Sequence, residues 1–295
     1  MDYARMKKYI PFTLIAGLLV LTLFIFSQAF AGEKNNTILT VAFLDIGQGD
    51  SIYIEAPNGR QMIIDGGRDS SIMRELGPLM PWGDASIDIL MVTNPDLDHY
   101  AGFLDVLKQF HVGAVIEPGT HSSTKTYASL ERSIAEKKVP ELLARKGMQI
   151  MLDREHDVEF DVLFPDRDVS TWNSNDGSIE GVLIYGKTKI MFTGDGTQKT
   201  EGIVLANNAP DVVKSDILKV GHHGSRTSSA DAFVAAVAPE YAVISDGKNN
   251  SYGHPHQETL DTLARHNVQV LRTDQLGTIV FESDGNSFSC MAGCK

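Results

Sequence analysis

Short apolar runs that stop at a polar cluster recur along this 295-residue chain and narrow what it can fold into. The sharpest is residues 87–92, which feeds into Thr93-Asn94-Pro95-Asp96-Leu97-Asp98-His99-Tyr100-Ala101-Gly102. A helical pattern over residues 103–110 leaves it. An apolar run of strand length followed by a helix-spaced one is the strand–turn–helix unit of α/β proteins. Between the two, Asn94 to His99 holds two carboxylates, a carboxamide and an imidazole. Several oxygens and one nitrogen offered from a single turn suit a divalent cation. The plainer alternative is an acidic loop capping the next helix, with Asp98 as N-cap.

The same unit repeats along the chain. Strands are expected over residues 38–45, 51–56 and 61–65, the last two joined by the hairpin turn Pro57-Asn58-Gly59. A short helix is expected at 70–76, a strand at 87–93 and another at 114–116. Residues 127–138 and 141–146 have helical spacing, broken at Pro140. Strands follow at 148–152 and 158–164, then a polar loop at 166–177 and a hairpin of 179–185 with 188–192. Helix is expected at 197–206, strand at 215–220, helix at 229–237 and strand at 241–245. Gly253-His254-Pro255-His256 opens a helix to residue 266, and strands at 268–272 and 278–282 close the pattern. Strand and helix alternate throughout, which predicts an α/β layered sandwich with two sheets inside and helices outside. A hydrophobic share of 42% is ample for one large core, or for two small domains as the alternative.

Residues 1–31 stand apart from that core. Arg5, Lys7 and Lys8 begin it, residues 10–26 are nearly all apolar, and Ser27-Gln28-Ala29-Phe30-Ala31 supplies small residues of the Ala-x-Ala kind. That pattern reads as a secretory signal, with an uncleaved membrane anchor as the alternative. Either places the remainder, residues 32–295, outside the cytoplasm, secreted or periplasmic. Asp2 against Arg5, Lys7 and Lys8 makes the signal basic, so the net −12 of the chain becomes −14 beyond it. Lys and Arg do not cluster beyond the signal, which counts against tight duplex binding because that requires displacing counterions from phosphates. A short or single-stranded phosphodiester held by a metal stays compatible. Cys290 and Cys294, the two cysteines, can pair and would staple the tail alone; two thiols are too few for a structural zinc. The sequence shows no bundle of membrane spans and leaves the oligomeric state open.

Polar residues of ligand type fall just after expected strands: Asp65, Asn94 to His99, Asp195, and the pair His222-His223. Strand ends are where ligands collect in α/β folds. Six segments carry a more specific likeness. They are Phe43-Leu44-Asp45-Ile46-Gly47-Gln48-Gly49-Asp50-Ser51, Ile64-Asp65-Gly66-Gly67, the Asn94 to His99 stretch, Phe192-Thr193-Gly194-Asp195, Lys219-Val220-Gly221-His222-His223-Gly224-Ser225, and Tyr252-Gly253-His254-Pro255. With these the chain resembles a metallo-β-lactamase-fold hydrolase, and within that group the soluble hydrolase domain of ComEC-type competence proteins.

The resemblance implies an αββα four-layer sandwich. It also implies two neighbouring metal positions fed by a His-x-His-x-Asp-His motif. Mapped onto this sequence, Asn94 and Asp96 belong to the first position, and Asp98 and His99 to the second. Asp195 corresponds to a bridging carboxylate and His223, or His222, to the late histidine of the second position. The first position has lost its histidines, and no histidine precedes Asp195 in Ser174-Asn175-Asp176-Gly177-Ser178. The second keeps two carboxylates and two imidazoles, a zinc-like set, while the first is either empty or takes a harder ion such as Mn²⁺. The expected cofactor is therefore a divalent cation, zinc or manganese, as one ion or two. Asp96 is the candidate general base. His222 is a candidate to stabilise charge or protonate the leaving group. His254 either contacts a substrate phosphate or merely starts a helix. Asp65 either orients a ligand histidine or serves a turn. The implied activity is hydrolysis of an ester, a phosphodiester first of all, with a nuclease activity on single strands included. A binding module with a degenerate first metal position is the alternative.

Overall fold

The computed structural model describes residues 37–294. The signal expected at residues 1–31 lies outside them. Fifteen strands form two mixed sheets among the described residues. The first contains β1 (Leu39–Phe43), β2 (Ile52–Glu55), β3 (Gln61–Ile64), β4 (Ser86–Met91), β5 (His111–Glu117), β6 (Glu141–Leu143), β14 (Ile279–Ser283) and β15 (Phe288–Ala292), in the order β15-β14-β1-β2-β3-β4-β5-β6. The second contains β7 (Gln149–Asp153), β8 (Val158–Phe164), β9 (Glu180–Tyr185), β10 (Thr188–Phe192), β11 (Ile217–Lys219), β12 (Tyr241–Ile244) and β13 (Gln269–Arg272), in the order β13-β12-β11-β10-β9-β8-β7. Strands β3 to β6 run parallel, as do β10 to β13.

Strand periodicity explains the layering. Successive side chains point to opposite faces, and here both faces are covered. Val41 and Phe43 enter the inter-sheet core with Ile54, Ile64 and Met91, against Phe160, Leu183, Ile190 and Phe192 of the second sheet. Ala42, Tyr53, Ile63 and Leu90 point the other way, onto the helices Ser71–Leu76, Phe103–Gln109 and Lys125–Lys137. Met191, Leu218, Ala242 and Ile244 do the same on the far side, against Gln198–Asn207, Asp231–Val237 and Gln257–Arg265. Burial on both faces is why these strands read as nearly continuous apolar runs. The result is the expected αββα sandwich.

Three local expectations are corrected. Residues 141–146, which have helical spacing, supply strand β6: Pro140 ends the preceding helix, and Glu141–Leu143 joins the open edge of β5 in parallel register. Edge pairing overrides the helical preference of Glu and Leu. Strand β15 was not expected, because Phe-Ser-Cys-Met-Ala has little apolar alternation; it pairs with β14, and Cys290 is disulfide-bonded to Cys294. A separate one-turn helix, Leu97–Tyr100, precedes the expected one at Phe103–Gln109; Asp96 is its N-cap, and Asp98 lies inside it. No helix of the described residues is long and apolar enough to cross a membrane.

Candidate metal centre and cleft

The loops that leave β1, β3, β4, β10, β11 and β12 meet at one edge of the sandwich. Two close backbone approaches lock them. Asp50 donates its amide to the Asp98 carbonyl at 3.2 Å, and a Cβ on Gly49 would lie 2.2 Å from that same oxygen. Gly102 donates to the Gly67 carbonyl at 3.0 Å, and a Cβ there would lie 2.0 Å from the Gly66 carbonyl. Glycine is therefore required at both points. Backbone strain gathers here too: Asp65, His222 and His223 have φ of 60°, 49° and 54°. Such left-handed residues cost about 1–3 kcal/mol each and persist where the surroundings over-determine them.

His99 is fully buried at the middle of the group. Its Nδ1 faces the Asp65 carboxylate at 2.8 Å. Asp65 is fixed in turn by the Thr93 amide at 2.7 Å and the Thr93 hydroxyl at 2.6 Å. Nδ1 thus donates to Asp65, and Nε2 points at Asp195, 3.1 Å away. Asp65 takes the orienting part that the sequence left open between that and a turn. His223 is set the same way: Nδ1 lies 3.0 Å from the Ser245 carbonyl, and Nε2 lies 3.6 Å from both Asp98 and Asp195. The two imidazole rings are 5.5 Å apart. Ligand atoms of Asp98, His99 and His223 all lie within 4.8 Å of one another, as do those of Asp50, Asp195 and His223.

Four buried atoms of this group have no hydrogen-bond partner: Nε2 of His99, Nε2 of His223, Oδ1 of Asp195 and Oδ1 of Asp50. Thirteen buried side-chain atoms lack a partner among the described residues, and three of them, Nε2 of His99, Nε2 of His223 and Oδ1 of Asp195, face one another here, which fits a cation. Two imidazoles and two carboxylates, with Asp98 on the open side, match the donor chemistry of a tetrahedral divalent ion.

Electrostatics agree. Burial alone would push His223 down, yet Asp195, Asp50 and Asp98 push it up to about 10. His99 is likewise raised well above the ordinary histidine value, against its burial, by Asp195 and Asp65. Burial would raise Asp98, but His223 and His99 bring it down to about 2. Protons thus stand in for a cation among these acids.

Behind His223 lies a pair that the sequence reading did not single out. Lys219 and Asp50 are each 1% exposed and form a 2.7 Å ion pair. Lys219 also donates to the Val220 carbonyl at 2.9 Å, and the second oxygen of Asp50 is 3.4 Å from His223 Nδ1. The available hints were a lysine inside an otherwise apolar strand and the place of both residues in the segments that carry the family likeness.

Asn94 and Asp96 lie apart from this group. Asn94 is fully buried, accepts the Asp96 amide at 2.9 Å and donates to the Ser178 hydroxyl at 3.3 Å. Asp96 accepts from the Ser174 hydroxyl at 2.8 Å. Among the described residues, no cluster of three or more His, Cys, Asp or Glu ligand atoms contains Asp96. The neighbouring position is closed by hydrogen bonds between Asn94, Ser178, Ser174 and Asp96.

A cleft of about 380 Å³ opens over the centre. Asp98, Asp195, His222 and His223 form part of its lining, as do Asp96, Gln48, His254 and Tyr252. His222 sets Nδ1 at 3.2 Å from the Thr227 hydroxyl and Nε2 at 3.9 Å from Asp195, and burial lowers its pKa. His254 is pushed down to about 4, first by burial and then by the charge of His223, and its ring packs 5.5 Å from His222. It sits in the cleft, two residues before the helix N-cap, His256. His256, which reads as a surface histidine, packs its ring 4.9 Å from His254.

Fold and donor set together define a class. Residues 44–246 match the metallo-beta-lactamase superfamily, and the chain belongs to that superfamily. Its curated relatives narrow this to the ComEC-type hydrolase domain. ComE operon protein 3 of Bacillus subtilis is 34% identical over 82% of this chain and 32% of its own length. Competence protein ComA of Neisseria gonorrhoeae is 29% identical over 90% of this chain and 35% of its own length. The chain thus spans about a third of the length of these relatives. Among solved structures, Igni18, a metallo hydrolase of Ignicoccus hospitalis, superposes with a TM-score of 0.52 at 12% identity, over 83% of this chain and 98% of that one. At that identity the likeness carries the fold alone.

Proposed function

We propose that this chain hydrolyses phosphodiester bonds outside the cytoplasm, using one divalent cation held by Asp98, His99, Asp195 and His223. The observation that carries this reading is the convergence of unpartnered Nε2 and Oδ1 atoms on one point beneath an open cleft. Zinc suits the two-imidazole, two-carboxylate set, with Mn²⁺ as the harder alternative. When bound, such an ion lowers the pKa of a water and polarises the attacked phosphoryl group. Asp96, oriented by Ser174, lines the cleft and is the candidate base for the attacking water. His222 is neutral near pH 7, since its pKa lies below 6.5, and donates one N–H to charge developing on the leaving side. His254 is neutral as well and offers a ring nitrogen to a phosphate oxygen. Among the described residues, the cleft lining contains no Lys or Arg. Together with the acidic balance of the chain, this favours a short or single-stranded substrate over a duplex. The basic, apolar and small-residue pattern of residues 1–31 supports export.

A second reading is a cation-binding or partner-binding module without turnover, favoured by the closed Asn94–Ser178–Ser174–Asp96 position. Metal analysis combined with assays on bis-p-nitrophenyl phosphate and single-stranded DNA, in Zn²⁺, Mn²⁺ or Mg²⁺, separates the two. The expected result is one ion per chain with turnover. One ion without turnover in any metal selects the module, and no bound ion sinks both.

A further inference from the structure

Large side chains exposed singly on a surface are ordinary, but Tyr252 is placed differently. It is 59% exposed and lines the same cleft as Asp98, Asp195 and His223. Its ring is stacked on His254, 5.8 Å between centroids and 23° between planes. His254 in turn lies 6.3 Å from His223, so two ring-to-ring steps lead from the tyrosine to the metal-ligating group. The turn that carries it is held from inside. Asn250 Oδ1 accepts the amides of Tyr252 at 3.1 Å and His254 at 3.0 Å. Asn250 Nδ2 donates to the His254 carbonyl at 2.7 Å and to Asp246 at 3.1 Å. Pro95 and the exposed Leu97 line the same cleft.

An aromatic ring with one face backed by a neighbour and much of its surface open to solvent, on a pinned turn, is a rigid apolar shelf. A cleft lined by carboxylates and without Lys or Arg has no cation of its own with which to grip a nucleotide. The remaining means is the π-face, which every base offers once it is unpaired.

We propose that Tyr252, backed by His254 and with Pro95 and Leu97 in the same cleft, is a stacking platform for the base of one unpaired nucleotide next to the scissile phosphodiester. This rests on the hydrolase reading above for the position of the phosphate. It adds that the substrate is a nucleotide ester rather than an alkyl one. Base pairs within a duplex keep their faces stacked on one another, so the platform selects single strands and small nucleotides.

The test compares thymidine 5′-(p-nitrophenyl phosphate) with methyl p-nitrophenyl phosphate, which release the same leaving group, on wild type, Tyr252→Ala and Tyr252→Phe. Equilibrium dialysis of thymidine 5′-monophosphate against methyl phosphate, with Mn²⁺-loaded protein, runs in parallel. Wild type is expected to prefer the thymidine ester in KM, and Tyr252→Ala to lose about tenfold of that preference. Tyr252→Phe, which keeps the ring, retains it, and dialysis gives the same order for thymidylate over methyl phosphate. A preference equal in wild type and Tyr252→Ala overturns the platform, as does loss of it in Tyr252→Phe. If neither ester is turned over, the hydrolase reading fails by itself. The dialysis then still decides the platform, which is overturned if thymidylate binds no better than methyl phosphate or if Tyr252→Ala leaves that difference intact.

Discussion

Two halves of one turn behave in opposite ways. Asp98 and His99 join Asp195 and His223 around a point that three orphaned buried atoms face. Asn94 and Asp96, only a few residues earlier, spend their polar atoms on each other and on Ser178 and Ser174. The first arrangement leaves a charge-rich centre to be completed from outside the chain. The second is complete already. The Asn94 carboxamide is engaged on both sides, with the Asp96 amide and the Ser178 hydroxyl.

The contrast is broken most severely from the ligand side. Asp195→Ala and His223→Ala are each expected to lose the bound metal and the turnover that depends on it while the circular dichroism spectrum of the fold persists. Unchanged metal content in both, measured by elemental analysis, places the centre elsewhere. Next in size is Lys219→Met, which leaves Asp50 buried without its partner and is expected to cost about 3–5 kcal/mol in denaturant unfolding. Adding Asp50→Asn to it should recover part of that loss, and a purely additive double variant contradicts the pairing. Asp65→Ala removes the acceptor that fixes His99 and is expected to weaken metal affinity about 10–100-fold. An affinity unaltered in chelator competition returns Asp65 to a simple turn residue.

Titration sharpens the same comparison. In metal-free protein His223 is raised from 6.5 to about 10. Its contribution to stability is therefore fully present below pH 6.5 and fades as pH rises toward about 10. Asp98 is lowered to about 2, so its contribution is present above its ordinary value of 3.8 and fades as pH falls through about 2. Metal binding must displace the histidine protons, so affinity is expected to rise with pH up to about 10, with proton release. Calorimetry in buffers of different ionisation enthalpy reads that release, and its absence contradicts the protonated metal-free cluster. The smallest effect is on the other half. Asn94→Ala is expected to cost about 1 kcal/mol for a lost buried hydrogen bond and to leave the metal stoichiometry as it was.

The sequence was most informative where period and spacing carry the signal. Two-sided apolar strands and the helices between them follow from the pattern, and Asp98, His99, Asp195 and His223, set at separate strand ends, meet at one centre. Glu141–Leu143 was misread because a sheet edge, not local preference, decides its conformation. Strand β15 was invisible because it is an exposed edge whose two large apolar residues, Phe288 and Met291, do not alternate. Lys219 and Asp50 were missed for a different reason. An ion pair between a strand end and a distant loop leaves no periodic trace, although both residues lie in segments that carry the family likeness. The meaning of Asn94 was also beyond the sequence, since it depends on Ser174 and Ser178 reaching it from another loop.

The most direct test of the central contrast is a crystal structure of the Zn²⁺- or Mn²⁺-soaked protein with anomalous diffraction collected at the metal edge. The expected result is one anomalous peak per chain, ligated by Nε2 of His99, Nε2 of His223 and the carboxylates of Asp98 and Asp195, with Asn94 still bonded to Ser178. A peak bound by Asn94 and Asp96, or no peak at the histidine pair, contradicts it.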